Sequence, residues 1–306
     1  MKKYCILILL LSVLYTKENP KKFYKELVPD QKKEGWDIGF DNISIDFSST
    51  SIKNQESYQN FSSTYFQGNS QIIAEGNLFF HSNYYAKQFV IFNLLFAEYG
   101  RNIIFPKDSP IIDNTTLDRI FISTDYTQKI WNFQSLGGFD MGPFLQFSYQ
   151  TQFVAPKTRD RTKILSLSTG LKLFDGKYIK NLNVGLFGEE NFTYASPSES
   201  FGFNLGVRGE YAFNEHVKWL GYLNFKQYFF NNFPREYSPQ SQLELSTKIE
   251  TSLLKYFFIS PFINFYFLKG QYLKTPATSL IIGVSLSYKQ TYIRAKAQDE
   301  TQNSEN

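Results

Sequence analysis

The chain has little of the material from which most catalytic and metal sites are built. Its 306 residues include 1 Cys and 2 His, which excludes a disulfide framework and a cysteine-based zinc site. Basic and acidic residues nearly balance, 32 against 28, for a net charge of +4. That is too small for a nucleic-acid-binding surface, which needs a strong basic face. We therefore expect no metal, no cofactor and no nucleic-acid partner.

Long apolar runs are missing as well. The basic Met1-Lys2-Lys3 and the apolar stretch Tyr4–Tyr15 are typical of a secretory signal, because a spanning helix needs about 20 apolar residues. The stretch ends without a small-x-small cleavage pattern, so a buried hydrophobic segment or a misassigned start are the alternatives. We predict a signal peptide at 1–15, a periplasmic N-terminal segment at 16–37 and a polar tail at 290–306.

Aromatic residues are abundant instead, at 18% of the chain with 32 Phe and 21 Tyr. Apolar and polar residues alternate over long stretches; Ile282, Val284 and Leu286, for example, alternate with Gly283 and Ser285. Successive side chains of a strand point to opposite faces, so each stretch predicts a strand with one apolar face. The candidate strands are 38–48, 70–84, 88–100, 116–131, 133–153, 162–174, 180–194, 200–213, 217–230, 240–253, 256–268 and 277–289.

Strand length and the order of the links favour a membrane-spanning barrel. Tilted strands that cross a bilayer need about 9–11 residues, whereas soluble strands usually have about 5–6. Longer and shorter links alternate along the chain, as in outer-membrane barrels with short periplasmic turns and longer outer loops. A sheet in lipid must close on itself. We therefore predict an all-β fold, a transmembrane antiparallel up-and-down β-barrel of about 12 strands over 38–289 in the bacterial outer membrane; a soluble β core is the alternative.

The polar face of such a barrel lines its lumen. Charges of both signs there must be paired or hydrated, so a narrow mixed-charge pore and a salt-bridged interior both remain open. The predicted lumen-lining charges are Glu75, Arg119, Asp125, Lys129, Lys172, Glu189, Arg208, Glu210, Lys226, Glu244, Lys248 and Glu250.

Aromatic residues near strand ends are expected at the two membrane–water borders, where an apolar ring and a polar tip are both satisfied. The predicted girdle consists of Trp131, Phe133, Tyr194, Phe201, Tyr211, Trp219 and Tyr288, with Phe192 and Tyr228 as further candidates. Pro143 and Pro261 fall inside predicted strands. Because a closed barrel has no edge strand to hold a proline, we expect a β-bulge at each.

His81 is the one candidate for acid–base chemistry. It lies on the second strand with Glu75 on the same face, an arrangement that could orient a base. Ser82 points to the opposite face, so the two neighbours cannot act together as nucleophile and base. We expect no catalytic residues and no enzyme.

Over 38–289 the pattern resembles outer-membrane β-barrel proteins in general. Three short phrases also resemble an uncharacterised family of barrel proteins, a domain of unknown function: Ala97-Glu98-Tyr99-Gly100, Leu117-Asp118-Arg119 and Thr151-Gln152-Phe153. The resemblance implies a barrel and brings no catalytic residues with it.

The function expected from these features is a narrow channel or uptake pore for small solutes. Its other partners would be membrane lipid and the barrel-insertion machinery. One alternative is a structural or surface-adhesion barrel with a plugged lumen and functional outer loops at 49–69 and 101–115. The other is a lipid-modifying enzyme that depends on His81.

Overall fold

The computed structural model describes residues 33–58, 61, 65, 72–104, 112–133, 138–155, 160–193 and 196–297. The predicted signal peptide, residues 16–32 of the predicted N-terminal segment, Tyr194 and residues 298–306 of the predicted tail lie outside the described residues.

Twelve long antiparallel strands follow one another around a closed barrel, which confirms the predicted fold class. They are β1 (Lys33–Lys53), β2 (Ile72–Tyr85), β3 (Phe89–Ile104), β4 (Ile112–Gln128), β6 (Phe139–Thr151), β7 (Ile164–Phe174), β8 (Ile179–Asn191), β9 (Ser198–Ala212), β10 (Val217–Asn231), β11 (Pro239–Leu254), β12 (Phe257–Gly270) and β13 (Ala277–Ile293). Two short strands, β5 (Trp131–Phe133) and β14 (Lys296–Ala297), pair with β6 and with the start of β1. The barrel closes where β13 pairs with β1, from Ile38↔Ile293 to Lys53↔Thr278.

The wall is apolar outside and polar inside. On β13, Ile282 and Val284 are exposed, whereas Ser279 and Ser285 are buried. An apolar outer face is stable in contact with lipid. Closure of the barrel also pairs every strand, so no unpaired strand edge is exposed to the lipid. Closed barrels of this kind span bacterial outer membranes, and this chain is an outer-membrane β-barrel. Among the described residues, no helix is long and apolar enough to cross a membrane.

The links define two ends of the barrel. The turn end carries both ends of the closed strand series and the links 86–88, 129–138, 175–178, 213–216 and 255–256. The loop end carries 54–71, 105–111, 152–163, 192–197, 232–238 and 271–276. The link after β4 is not the tight turn predicted near residue 132. It contains β5, which pairs Trp131 with Met141 and forms a small hairpin with the first residues of β6.

Aromatic side chains form a belt around the outside of the turn end. Ring centroids lie 5.4 Å apart for Phe89 and Tyr126 and 5.9 Å apart for Tyr178 and Tyr211. The predicted girdle residues Trp131, Phe133, Tyr211, Trp219 and Tyr288 lie on the outer face at this end, and Phe201 lies on the outer face at the loop end. Tyr228, the further candidate, is an exception because it is buried inside the barrel.

The predicted bulges at Pro143 and Pro261 are absent. Pro143 pairs with Leu171 and Pro261 with Val284 in unbroken register. On the opposite side the β4–β6 ladder ends at Phe144, and the β11–β12 pairing skips Pro261 without a register shift. Proline has no N–H to donate, so the wall accommodates each ring with a missing ladder bond on one side.

Candidate functional site in the lumen

The predicted lumen-lining charges take up positions inside the barrel. Tracing the cross-strand pairs around the wall places all of them except Lys129 at inward-facing strand positions. Lys129 follows β4 directly, and its Nζ lies 5.7 Å from the ring centroid of the buried Tyr85. Glu75 lies directly across from Asp46 of β1, and both are buried. The remaining charges form a loop-end group, a wall pair and a turn-end group.

Arg119 is the centre of the loop-end group. Its Nε lies 2.9 Å from Oε1 of Glu98, and its Nη1 lies 3.5 Å from Oε1 of Glu244. The guanidinium also lies over two rings, 5.0 Å from the centroid of Tyr65 and 4.8 Å from that of Phe96. Two carboxylates and two ring faces therefore offset the charge of this largely enclosed cation.

The first loop-end link, 54–71, contributes three aromatic side chains to this interior: Tyr58, Phe61 and Tyr65 are buried. The Tyr58 hydroxyl donates to the carbonyl of Thr275 at 2.7 Å and accepts from the N–H of Gly270 at 3.1 Å. Burial raises the pKa of the Tyr58 phenol, which therefore stays a neutral donor. The Tyr65 ring stacks on Tyr266 of β12 with centroids 3.6 Å apart. The link thereby narrows the lumen at the loop end.

A small cavity of ≈ 90 Å³ lies beside Arg119. On its far side Lys226 pairs with Glu189, which also accepts from Ser166 at 2.9 Å and from Tyr228 at 3.4 Å. The remaining lining includes amide, hydroxyl and aromatic side chains: Gln150, Gln242, Asn191, Ser148, Phe61, Tyr65, Phe121, Phe233 and Tyr237.

The three phrases that resemble the uncharacterised barrel family converge on this region. Glu98 of the first phrase binds Arg119 of the second. Asp118 of the second accepts from the backbone N–H groups of Phe153 and Val154, at 2.6 and 2.9 Å, where the third phrase ends. The phrases therefore form one structural unit at the loop end of β3, β4 and β6.

Lys172 and Asp125 form a wall pair. Lys172 Nζ lies 2.9 Å from Asp125 Oδ2 and 3.8 Å from the centroid of Phe92, and both charged side chains are buried. Thr127 donates a further hydrogen bond of 2.6 Å to Asp125. The pair joins β4 to β7 across β6 and leaves neither charge available to a solute.

The turn-end group surrounds His81. A β-bulge at Asp41 turns this residue inward, and His81 Nδ1 lies 3.1 Å from its Oδ1. Asp37 lies on the other side of the imidazole at 3.9 Å. The partners of His81 are therefore these two aspartates, and the predicted pairing with Glu75 is wrong. The reason is the bulge, which inserts a carboxylate beside the imidazole.

Across the lumen from the imidazole, Arg208 of β9 approaches Asp41 at 3.6 Å. Lys218 lies 3.4 Å from Glu250 and 3.7 Å from Glu210, and Lys289 also binds Glu250. These contacts link β1, β9, β10, β11 and β13 around the turn end of the lumen.

Part of this lumen holds open space. The Arg208 side chain is 48% exposed and Tyr222 is 42% exposed, although both face the inside of a closed wall. An inward side chain can be accessible only if solvent-sized space lies beside it. The turn-end half of the lumen is therefore wider than the half filled by Phe61 and Tyr65.

Several of these residues were absent from the sequence-based predictions. Asp46 lies on the polar face of the first predicted strand, and Glu98 is an inward charge in an otherwise apolar strand, so alternation could have indicated both. Lys218 and Lys289 lie at strand ends, where predicted facing is least reliable. Asp41 and Tyr65 carry no local signal, because a bulge and a folded link place them.

His81 and Ser82 lie on opposite faces of β2, as the sequence predicts. His81 points into the lumen, away from lipid, and Ser82 pairs with Ile38 on the opposite face of β2. No group of three or more His, Cys, Asp or Glu in the described part of the chain is placed to hold a metal ion.

Known proteins offer only distant comparisons. No protein-family model matches the chain, so the resemblance to one uncharacterised family gains no support, and no curated protein matches its sequence. Solved structures that it is similar to include the translocator domain of the autotransporter NalP from Neisseria meningitidis (7% identity, 87% of this chain and 94% of that one, TM-score 0.36). Others are the outer membrane phospholipase A from Escherichia coli (11%, 82% and 98%, 0.42) and the NanC porin (11%, 80% and 100%, 0.38). The function of the chain must therefore be inferred from the residues that line its own lumen.

Proposed function

We propose that the protein is a narrow passive channel that lets small hydrophilic solutes cross the outer membrane. The observation that carries the proposal is the accessibility of Arg208 and Tyr222 inside a closed wall. The accessible space lies at the turn end, and the loop end is narrower because Arg119, Glu244 and the aromatic residues of link 54–71 line it. A lumen of this shape admits small solutes and rejects large ones.

Selectivity in this proposal comes from the local field of the turn-end group. Arg208 is half exposed to the lumen, and Lys248 has no ion-pair partner within 4.0 Å among the residues that the structure describes. Membrane lipid and the barrel-insertion machinery are the partners that any such barrel requires. We propose no catalytic activity, because the neighbouring hydroxyl of Ser82 lies on the opposite face of β2 from the inward-facing His81.

Single-channel recording of the refolded, detergent-purified protein in a planar bilayer tests the proposal. Discrete current steps whose size depends on salt are the expected result, and Arg208→Glu should shift the reversal potential in a salt gradient toward cation selectivity. Lys163→Glu is the matched control, because it makes the same charge change in an exposed loop-end link. A barrel that folds, as its heat-modifiable mobility would show, but never conducts would overturn the channel.

A second candidate is a plugged barrel whose function resides in its outer loops. The observation that favours it is the packing of Tyr58, Phe61 and Tyr65 in the loop-end lumen. In that case the intact protein does not conduct in the bilayer recording. Shortening the link opens conduction but does not support the biological function.

A further inference from the structure

We infer that the turn end of the barrel binds the headgroups of anionic phospholipids, through a rim of basic side chains beside the aromatic belt. The inference narrows the lipid partner of the proposed function to one charge class. It concerns the outer face of the barrel and not the lumen, so it applies equally to a conducting and to a plugged barrel.

The basic rim consists of the exposed cations of the described turn end: Lys87, Lys177, Lys255 and Arg294. The three lysines belong to the links β2–β3, β7–β8 and β11–β12, and the arginine follows β13, so the four are spread around the barrel. None of them takes part in an ion pair within the part of the chain that the structure describes. Their charges are therefore available to a partner outside the protein.

Few carboxylates oppose these cations. Glu215 is the one exposed carboxylate among the described turn-end residues. The half-buried charges outside the turn-end group nearly cancel one another, and they are Glu34, Asp140, Asp175, Lys129 and Lys180. At the loop end, by contrast, exposed charges of opposite sign lie side by side, because Arg161 follows Asp160 and Arg235 precedes Glu236. Loop-end charges thus compensate one another locally, whereas those of the basic rim do not.

Two of the rim cations lie over rings of the aromatic belt. Lys177 Nζ is 5.6 Å from the ring centroid of Tyr178, and Lys255 Nζ is 5.0 Å from that of Tyr256. Tyr178 stacks on Tyr211, and the Tyr256 centroid lies 6.1 Å from that of Tyr288. Aromatic belts lie at the level of the lipid headgroups, so these contacts hold two ammonium groups at the depth of the lipid phosphates.

A layer of anionic headgroups fits the spread of the rim. The cations stand on separate links around the barrel, so one small soluble anion can contact only one of them. Phospholipids surround the whole barrel, and each can bring its own negative headgroup to one cation. The links that carry the lysines are short, which keeps each charge within about one Debye length of the headgroups.

Tryptophan fluorescence tests the inference at the rim itself. The 3 tryptophans of the chain, Trp36, Trp131 and Trp219, are all exposed on the outer face of the turn end. The barrel is refolded into phosphatidylcholine vesicles in which part of the lipid is either brominated phosphatidylglycerol or brominated phosphatidylcholine. Because bromine quenches only nearby tryptophans, the two quenching curves give the relative affinity of the turn end for the two lipids.

A preference of about two- to fivefold for phosphatidylglycerol is expected at low salt. Each cation near an anionic headgroup favours it about fivefold, and only some of the lipids beside a tryptophan reach a cation. High salt should remove most of the preference. The variant Lys87→Gln/Lys177→Gln/Lys255→Gln/Arg294→Gln should lose it. The matched control is Lys53→Gln/Arg161→Gln/Lys163→Gln/Lys274→Gln, which removes four exposed charges from the loop end and should keep the preference.

Equal affinity for the two lipids, a preference that high salt leaves unchanged, or the same preference in both variants would overturn the inference. Heat-modifiable mobility confirms that each variant is folded. The bilayer recordings decide the channel separately. A barrel that conducts without preferring phosphatidylglycerol keeps the channel and loses the lipid site, and a non-conducting barrel that prefers it does the reverse.

Discussion

Arg119 of β4 approaches Glu244 of β11 across the interior of the barrel, with 3.5 Å between Nη1 and Oε1. The two strands are not neighbours in the wall, so the pair crosses the lumen. Glu98, at 2.9 Å, anchors the same guanidinium to β3. Both members of the pair line the loop-end cavity.

Arg119→Leu is expected to destabilise the barrel strongly. The substitution leaves the buried Glu98 without its cation, which costs about 3–5 kcal/mol. Arg208→Leu is the matched control, because it removes the same side chain from a half-exposed lumen pair worth less than about 1 kcal/mol. Urea unfolding in lipid vesicles measures both, and equal losses for the two variants would contradict the assigned burial.

Shortening link 54–71 is expected to raise the unit conductance. Replacing 55–70 by a short Gly/Ser linker removes Tyr58, Phe61 and Tyr65 from the loop-end lumen, while the β1–β2 ladder from Ser49↔Ile72 onward is kept. Planar-bilayer recording measures the step size. The ion selectivity set by Arg208 should persist, because that residue lies in the turn-end group. An unchanged step size would show that the link does not limit conduction.

A charged side chain on the outer face is expected to destabilise the barrel more when it lies deeper in the membrane. Val284→Arg places a cation near the middle of β13, where it should cost about 2–4 kcal/mol. Leu254→Arg makes a similar change at the turn end of β11, where the cost should fall to about 0–1 kcal/mol. Both side chains are exposed. Equal unfolding free energies for the two variants in lipid vesicles would mean that the apolar face is not in contact with lipid.

Gly202→Ala is expected to disturb the wall of the loop-end cavity. A Cβ at Gly202 would lie 2.1 Å from the carbonyl oxygen of Gln227 and 2.9 Å from the Phe187 ring. Because a backbone atom must shift, we expect a loss of about 1–3 kcal/mol. Gly188→Ala on the neighbouring strand has no atom within 4 Å of the new Cβ and should be nearly neutral. Unfolding in lipid vesicles measures the stability of both variants.

The long strands were predictable because their signal is local. In β13 the alternation of Ser285 and Ser287 with Val284 and Leu286 indicates the two faces without knowledge of any neighbour. Pairing was not predictable in the same way. The small hairpin of β5 depends on where β4 stops pairing with β6, and the bulge at Asp41 depends on both neighbours of β1.

Packing at the loop end was even less predictable from the sequence. Tyr58 binds the carbonyl of Thr275, 217 residues away along the chain, and no spacing pattern joins two such positions. Gln150 and Gln242 were present in the sequence as ordinary polar residues of the inward face. Only the closed barrel sets them around one cavity.

The order of residues alone thus established an outer-membrane barrel with a charged interior, because the face that a strand residue takes depends on its immediate neighbours. Which charges neutralise one another, and where the lumen stays open, depended on closure. Strands distant in sequence then face each other across the interior, so that Arg119 meets Glu244 and Arg208 meets Asp41. Electrostatic pairing acts over a few ångströms in space, and only the tertiary structure determines those distances.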